Sequence, residues 1–411
     1  MKQLAILPTG NLKNNIFNTT IYLIPFHPRE FGCAYLPKST EVSENLFDEN
    51  IFNITGLDVK GQVKIFIQMA QLAGHPVIYD ILPQTGRFSK AVLANPEIAR
   101  WFDIKALKEE VEVKIEEVSK LLAEEYDNED LEVVKNIYKQ NGSTGDLSEY
   151  YQNIYNDFDN KMLDYKKNLS NNMMLKSSQI KIVKKVKEII AKQLKTNKKL
   201  TENDITNQLD IITSLINEDL WPAPGGAWNS CGVPVFDKMC NGAGYPMFRH
   251  FNFKDEDVTE FANLDCQTPY YFYNFDKKTF NEDVIDFYVN SLKKLQKDFN
   301  FDGFRVDHID HVVDEISQQN GIPISYRAPA FVLAQLSKTM KKKIPYFVML
   351  AEYMLWDKFY KEYHEEMGFD LLWGNDIVMQ NSKTPVQIID DNRELAQYNS
   401  TLKGNNYLSI I

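Results

Sequence analysis

The sequence predicts an α/β protein, a (β/α)8-type TIM barrel that carries a helical insertion, and three observations support this fold class. Short β-rich runs end at turns or polar residues, as buried parallel strands do in such barrels: Thr20–Ile24, Pro76–Tyr79, Phe301–Val306 and Tyr346–Ala351. Apolar stripes at helical spacing precede the runs at Phe301 and Tyr346. Asp307 and Glu352 lie 45 residues apart, close to the length of one βαβ unit, so we expect them on adjacent strands.

The chain divides into three regions of different texture. Residues 1–104 would supply barrel strands 1–3, residues 105–216 are charged and helical, and residues 217–411 would supply a loop segment and strands 4–7. Asp80 and Asp307 are 227 residues apart, far too many for one crossover, so the helical region is predicted to be an insertion after strand 3. Basic residues within it, such as Lys184, are interpreted as a solvated helix face rather than a binding patch.

The end of the sequence suggests an unfinished barrel. We place the sixth strand near Asp370–Trp373 and the seventh near Tyr407–Ile411, where the sequence stops. An open barrel would leave strand edges unpaired. We therefore expect either a missing C-terminal segment or completion by a second chain.

Composition excludes several partners. The 411 residues carry a net charge of -11, which disfavours binding to nucleic acid or to anionic membranes. The apolar run at the N-terminus is too short for a signal peptide, and no stretch approaches the roughly 18 apolar residues of a membrane span, so a cytoplasmic location is expected. The four cysteines show no paired CxxC spacing, which favours free thiols over a metal site or disulfides. No cofactor is expected.

Ionisable residues are concentrated in the stretch Asp302–His311. Side chains alternate along a strand, so Arg305 and Asp307 point to the same side, which is the interior of a barrel at these positions. A cation this close would hold the carboxylate ionised, as a nucleophile requires. Asp307 is therefore the candidate nucleophile. The alternative is an internal Arg–Asp ion pair with no catalytic role.

Glu352 follows the apolar run Phe347–Ala351. A partly desolvated carboxyl can stay protonated near neutral pH and donate a proton to a leaving-group oxygen. Two carboxyls with these separate roles on neighbouring strands are typical of retaining glycosidases. The alternative is a glutamate at a strand end that faces solvent.

The segment Gly303–Asp307, with His311 four residues further on, resembles the signature of the α-amylase family of glycoside hydrolases (family 13-like). The resemblance implies that Arg305 supports the nucleophile Asp307 and that His311 contacts sugar, and Ala351-Glu352 resembles the segment of the general acid/base. Residues Leu23–Phe26, leading to Gly32 and Tyr35, resemble the second barrel strand and a sugar-stacking tyrosine, although Tyr35 could equally be a packed surface aromatic.

The same family pattern has two departures. The family's third-strand segment ends in Asp, three residues, Asn and His, whereas here Asp80 is followed by Gln84 and Thr85. We therefore predict no bound calcium and no other metal. A third catalytic aspartate, preceded by histidine after the seventh strand, has no counterpart, because no histidine follows His364.

These observations predict a retaining hydrolase or transglycosylase that acts on α-glucans or maltooligosaccharides, with phosphorolysis also left open. Asp307, Glu352 and Arg305 are the expected catalytic group. The expected substrate contacts come from the strand ends, the signature segment and one aromatic loop: His311, Asp80, Tyr35, His308 and Trp228. Loop packing is the alternative for Trp228. The alternative function is a non-catalytic glucan-binding or regulatory barrel.

Overall fold

The computed structural model describes residues 20–30, 33–140, 147–173, 176–222, 267–274, 279–307, 327–353 and 367–374. These residues form two compact units, each described separately below. The first contains the described residues up to Thr85 and from Glu282 onward, and the second lies within Gly86–Asn281. The predicted insertion, residues 105–216, falls inside the second unit.

The helices and strands of the described residues follow one another in this order: β1 Ile21–Leu23, β2 Arg29–Glu30, β3 Cys33–Pro37, α1 Glu49–Thr55, α2 Val59–Leu72, β4 Val77–Ile81, β5 Gln84–Gly86, α3 Lys90–Ala94, β6 Trp101–Asp103, α4 Ile104–Leu122, α5 Asn128–Gln140, α6 Glu149–Met173, α7 Lys176–Leu194, α8 Gln208–Asn217, β7 Leu220–Pro222, β8 Gln267–Pro269, β9 Tyr273–Asn274, β10 Thr279–Phe280, α9 Glu282–Phe299, β11 Gly303–Val306, α10 Arg327–Lys343, β12 Val348–Tyr353 and β13 Leu371–Gly374.

A five-stranded parallel sheet organises the first unit. Its strands stand in the order β1-β4-β11-β12-β13, which is also their order along the chain, and all four pairings are parallel. Helix α2 lies in sequence between β1 and β4, and α10 lies between β11 and β12. This arrangement confirms the prediction of an α/β fold with a parallel sheet and alternating strands and helices. The predicted seventh strand, Tyr407–Ile411, lies outside the described residues.

Two strands extend further than predicted. Asp80, expected after its strand, lies inside β4 because pairing with β11 continues through Arg305↔Asp80 and Val306↔Ile81. Glu352 likewise lies inside β12, which pairs with β13 as far as Tyr353↔Gly374. Pairing of this kind satisfies backbone groups that would otherwise be buried without partners. Asp307 does follow its strand, as predicted, and its backbone amide donates to the Ile81 carbonyl at 3.0 Å.

The helices next to the sheet bury the predicted apolar stripes. In α9, Ile285, Tyr288 and Leu292 are buried, and in α10, Leu333 and Leu336 are buried. Their spacing of three or four residues places them on one face of each helix. Helix α2 begins at a cap in which the Asp58 side chain accepts from the Gly61 amide at 2.8 Å.

Aromatic side chains fill the core beside the sheet. Tyr79 stacks on Phe301 with ring centroids 4.7 Å apart, and Phe304 meets Phe347 edge-on at 5.0 Å. Strands β11 and β12 approach so closely at Gly303 that an added Cβ would stand 2.5 Å from the Val348 carbonyl oxygen. Glycine is therefore required for the register that aligns β11 with β12.

Two aspartates bind backbone amides at the amino-terminal end of this sheet. Asp302, just before β11, accepts from the Val77 amide of β4 at 2.8 Å and from Gln71 of α2 at 2.9 Å. Asp370, just before β13, accepts from the Met349 amide of β12 at 2.9 Å and from Lys341 of α10 at 2.6 Å. Each aspartate thus ties the start of a neighbouring strand to the helix that precedes that strand.

The second unit is mainly helical. Its helices pack through buried apolar residues such as Ile115, Val134 and Ile154, and β6 pairs with β7 in antiparallel orientation. Gln179 of α7 bonds both the amide and the carbonyl of Trp101 at 2.9 Å. Among the described residues of either unit, no helix combines the length and apolar character needed to cross a bilayer.

Candidate active site

A buried charged cluster lies toward the carboxyl-terminal end of the parallel sheet. Arg305 of β11 is level with Asp80 in the neighbouring strand β4. On the other side, β11 pairs with β12 through Val306↔Ala351. Asp307 and Glu352 directly follow these two residues, so they lie level with each other on neighbouring chain segments. Three carboxyls from two strands and one strand end therefore surround one guanidinium group.

Arg305 contacts all three carboxyl groups. Its Nη1 donates to both oxygens of Asp80 at 2.9 Å and to Oδ1 of Asp307 at 2.5 Å. Its Nη2 lies 2.7 Å from Oε2 of Glu352. The side chains of Asp80 and Arg305 are 0% and 4% exposed, whereas those of Asp307 and Glu352 are 11% and 21% exposed. Asp307 and Glu352 are thus the carboxyls of the cluster that solvent reaches more readily.

Two tyrosines complete the contacts of Asp80. The hydroxyl of Tyr22, in β1, donates to Asp80 Oδ2, and the hydroxyl of Tyr35, in β3, donates to the same oxygen at 3.2 Å. Tyr22 was not among the sequence-predicted site residues. The signal that could have found it is a polar hydroxyl in a short apolar strand, but its partner depends on the pairing of β1 with β4, which the sequence does not reveal.

Burial dominates the electrostatics of the cluster. Burial raises the pKa of Asp307 to about 7, against the lowering effect of Arg305, and the charges of Asp80 and Glu352 raise it further. The expected effect of Arg305, which favours the ionised form of Asp307, is therefore present, but burial outweighs it, and Asp80 and Glu352 also contact this guanidinium. Burial also raises the pKa of Asp80, opposed by Arg305 and by the hydroxyls of Tyr22 and Tyr35.

The pKa values of the two tyrosines and of Arg305 also shift, because these groups are buried close to charged side chains. Burial and the Asp80 charge raise the pKa of Tyr35 to about 12, and burial and the bond to Asp80 raise that of Tyr22 further. The pKa of Arg305 is raised by the three carboxylates, which outweigh the lowering effect of its burial. Both tyrosines therefore remain neutral hydrogen-bond donors, and Arg305 remains a cation.

Five of the sequence-predicted site residues come together in this cluster: Asp80, Arg305, Asp307, Glu352 and Tyr35. The predicted residues His308, His311 and Trp228 lie outside the described residues. Gln84 and Thr85, which stand where the family pattern has Asn and His, are buried, each 4% exposed. Within the described ranges, no three His, Cys, Asp or Glu side chains are grouped as a metal site.

The cluster contains two carboxyl groups, those of Asp307 and Glu352, of the kind that a paired-carboxyl mechanism uses. Asp307 titrates near neutrality, so it can be ionised and act as a nucleophile or base at slightly alkaline pH. Glu352 shares the guanidinium but is more exposed, so a proton can reach it from solvent. Asp80, fully buried and bonded by three side chains, is suited to hold Arg305 rather than to react.

No family model matches the chain, and no curated protein matches it. Among solved structures, the chain is similar to the maltogenic amylase from S. marinus, with 12% sequence identity and a TM-score of 0.37. The similarity covers 92% of this chain and 35% of that one. The chain thus spans about a third of the length of that protein. An identity and a TM-score this low establish neither a family nor an activity.

Proposed function

We propose that the protein cleaves or transfers α-glucosidic bonds by a retaining mechanism, with Asp307 as the nucleophile and Glu352 as the acid/base. The observation that carries this proposal is that one guanidinium binds both carboxyls, through Nη1 at 2.5 Å and Nη2 at 2.7 Å. Contacts to a single guanidinium keep the two carboxyls close together. Retaining glycosidases need such closeness, with a separation of about 5–5.5 Å.

The roles follow from the surroundings of each carboxyl. Glu352 would donate a proton to the departing glycosidic oxygen while an Asp307 oxygen attacks the anomeric carbon and forms a glycosyl ester. Glu352 would then take a proton from water or from a sugar hydroxyl, whose oxygen displaces Asp307 from the anomeric carbon. Water gives hydrolysis and a sugar gives transfer. The substrate class, an α-linked oligo- or polysaccharide, rests on the resemblance of Gly303–Asp307 to the α-amylase signature.

The scaffold that we propose for this chemistry is a (β/α)8 barrel. Two features support it: the sheet is wholly parallel, and its five strands stand in chain order. A barrel winds in one direction, whereas a doubly wound sheet reverses its strand order partway. In a barrel, the carboxyl-terminal end of the strands is also the place where catalytic groups lie, and the Arg305 cluster occupies that end here.

Activity on maltooligosaccharides tests the proposal. We expect Asp307→Asn and Glu352→Gln each to lower kcat/KM by roughly 10³-fold or more. Wild-type kcat/KM should rise as the pH increases through about 7, because burial raises the pKa of Asp307 to about 7 and the nucleophile must be ionised. Product formation by Asp307→Asn at the wild-type rate would show that the nucleophile is wrongly assigned.

A glucan-binding protein without turnover is the second candidate. The burial of Gln84 and Thr85 favours it, because the family resemblance would place an Asn and a His at these positions. Calorimetry with maltooligosaccharides separates the two candidates when combined with product analysis. Saturable binding with no product from the wild-type protein would favour the binding function.

A further inference from the structure

Asp80 is bound by side chains from three strands of the Arg305 cluster. It accepts four hydrogen bonds from three side chains: two from Arg305 Nη1 at 2.9 Å, one from Tyr22 and one from Tyr35. Hydrogen bonds to the charged form of a carboxyl favour that form. The donors from Arg305, Tyr22 and Tyr35 therefore favour the ionised form of Asp80.

Among the described residues, the cluster places three carboxyls around one cation. Three carboxyls from β4, the end of β11 and β12 face one guanidinium, and the two hydroxyls that reach them from β1 and β3 are neutral donors. Like charges a few ångströms apart in a poorly solvated place cannot all remain ionised near neutral pH. Protonation of one carboxyl therefore makes its neighbours easier to ionise, whereas hydrogen bonds donated to a carboxylate make that carboxyl harder to protonate.

We propose that Tyr22 is a positioning residue that acts through Asp80: its hydroxyl keeps Asp80 ionised, and the ionised Asp80, which shares Arg305 Nη1 with Asp307, makes Asp307 harder to ionise. The proposal rests on the contacts of the cluster, and only its link to catalysis rests on the proposed function. Tyr35 assists at the same oxygen over a longer bond of 3.2 Å. After burial, the charge of Asp80 is one of the causes that raise the pKa of Asp307 to about 7.

Removing the Tyr22 hydroxyl should favour protonation of Asp80. In Tyr22→Phe, Asp80 loses its donor from β1 and becomes the easier carboxyl to protonate. A neutral Asp80 repels Asp307 less and competes less for Arg305, so Asp307 would ionise at a lower pH. A merely structural role for Tyr22 would change stability but would not lower the pH at which Asp307 titrates.

The test is the titration of Asp307 by carbon NMR of the protein labelled at the aspartate carboxyl carbon, with the Asp307 signal identified by its loss in Asp307→Asn. We expect the midpoint to fall by roughly half to one pH unit in Tyr22→Phe and by less in Tyr35→Phe. The control is Tyr79→Phe, because the Tyr79 hydroxyl contacts His27 at 3.0 Å rather than the cluster, and this variant should titrate like the wild type.

Each outcome decides the proposal without an activity assay. An unchanged or higher midpoint in Tyr22→Phe would overturn it, and so would an equal fall in Tyr79→Phe. If the midpoint falls as expected in a protein that forms no product from glucosides, the role of Tyr22 stands and the proposed function fails. In an active enzyme, the acidic limb of kcat/KM should move to lower pH by the same amount in Tyr22→Phe.

Discussion

The two ends of the parallel sheet use aspartates in opposite ways. At the amino-terminal end, Asp302 and Asp370 each accept a backbone amide and one side-chain donor from a helix. At the carboxyl-terminal end, Asp80, Asp307 and Glu352 all contact Arg305. The first arrangement matches acceptors to donors, whereas the second brings three carboxyls together in a buried place around one cation of the described residues. We infer that the first end is built for stability and the second for reactivity.

The largest effect is expected for Asp307→Asn, which should abolish activity and increase stability. Asp307→Asn removes a buried charge but keeps an oxygen that can accept from Arg305. Turnover should be lost while the free energy of unfolding at pH 8 rises by roughly 1–2 kcal/mol. Denaturant unfolding measures this change, and a clear loss of stability at pH 8 would place Asp307 with the stabilising residues instead.

The same variant should remove part of the pH dependence of stability. Because burial raises the pKa of Asp307 from 3.8 to about 7, the folded state binds this proton more tightly than the unfolded state. The resulting stabilisation is complete below pH 4 and is lost as the pH rises through 7. Wild-type stability should therefore fall from pH 5 to pH 8, and less so in Asp307→Asn. Parallel curves for the two proteins would contradict the raised pKa.

At the amino-terminal end, the expected effect is a loss of stability without a loss of activity. Asp302→Ala removes the acceptor of the Val77 amide and one of the two acceptors of the Gln71 side chain, which keeps the Asn300 carbonyl. The variant should lower the free energy of unfolding by roughly 1–3 kcal/mol. Asp302→Asn, which keeps an acceptor oxygen, is the matched control and should cost less. Chemical denaturation measures both variants, and kcat/KM below the melting temperature should stay within a few-fold of the wild type.

The smallest expected effect concerns the ion pair of Lys341 with Asp370, whose side chains are 30% and 31% exposed. Lys341→Met should cost about 0.5–1 kcal/mol, because a partly exposed pair is screened by water. The difference from the wild type should shrink in 1 M salt. Asp370→Ala should cost more, since the Met349 amide also loses its acceptor. If Lys341→Met and Asp370→Ala lower the free energy of unfolding equally, the hydrogen bond from the Met349 amide to Asp370 contributes nothing to stability.

The sequence predicts the parallel strands and the pairing of Arg305 with Asp307, because both depend on local order: apolar runs and the alternation of side chains along one strand. The contacts of Arg305 with Asp80 and Glu352 depend on the registers β4–β11 and β11–β12, which no local pattern fixes. The role of Tyr22 was missed for the same reason. The titration of Asp307 near pH 7 could not be predicted either, because it depends on how much water the fold excludes from all three carboxyls.

The most direct test of the catalytic assignment is covalent trapping with a fluorinated α-glucoside that forms the glycosyl ester but breaks it down slowly. We predict that peptide mass spectrometry of the treated protein finds one added sugar on Asp307 and none in Asp307→Asn. Product formation with the sugar attached to another residue, or with unmodified Asp307 under conditions that trap the intermediate, would contradict the account.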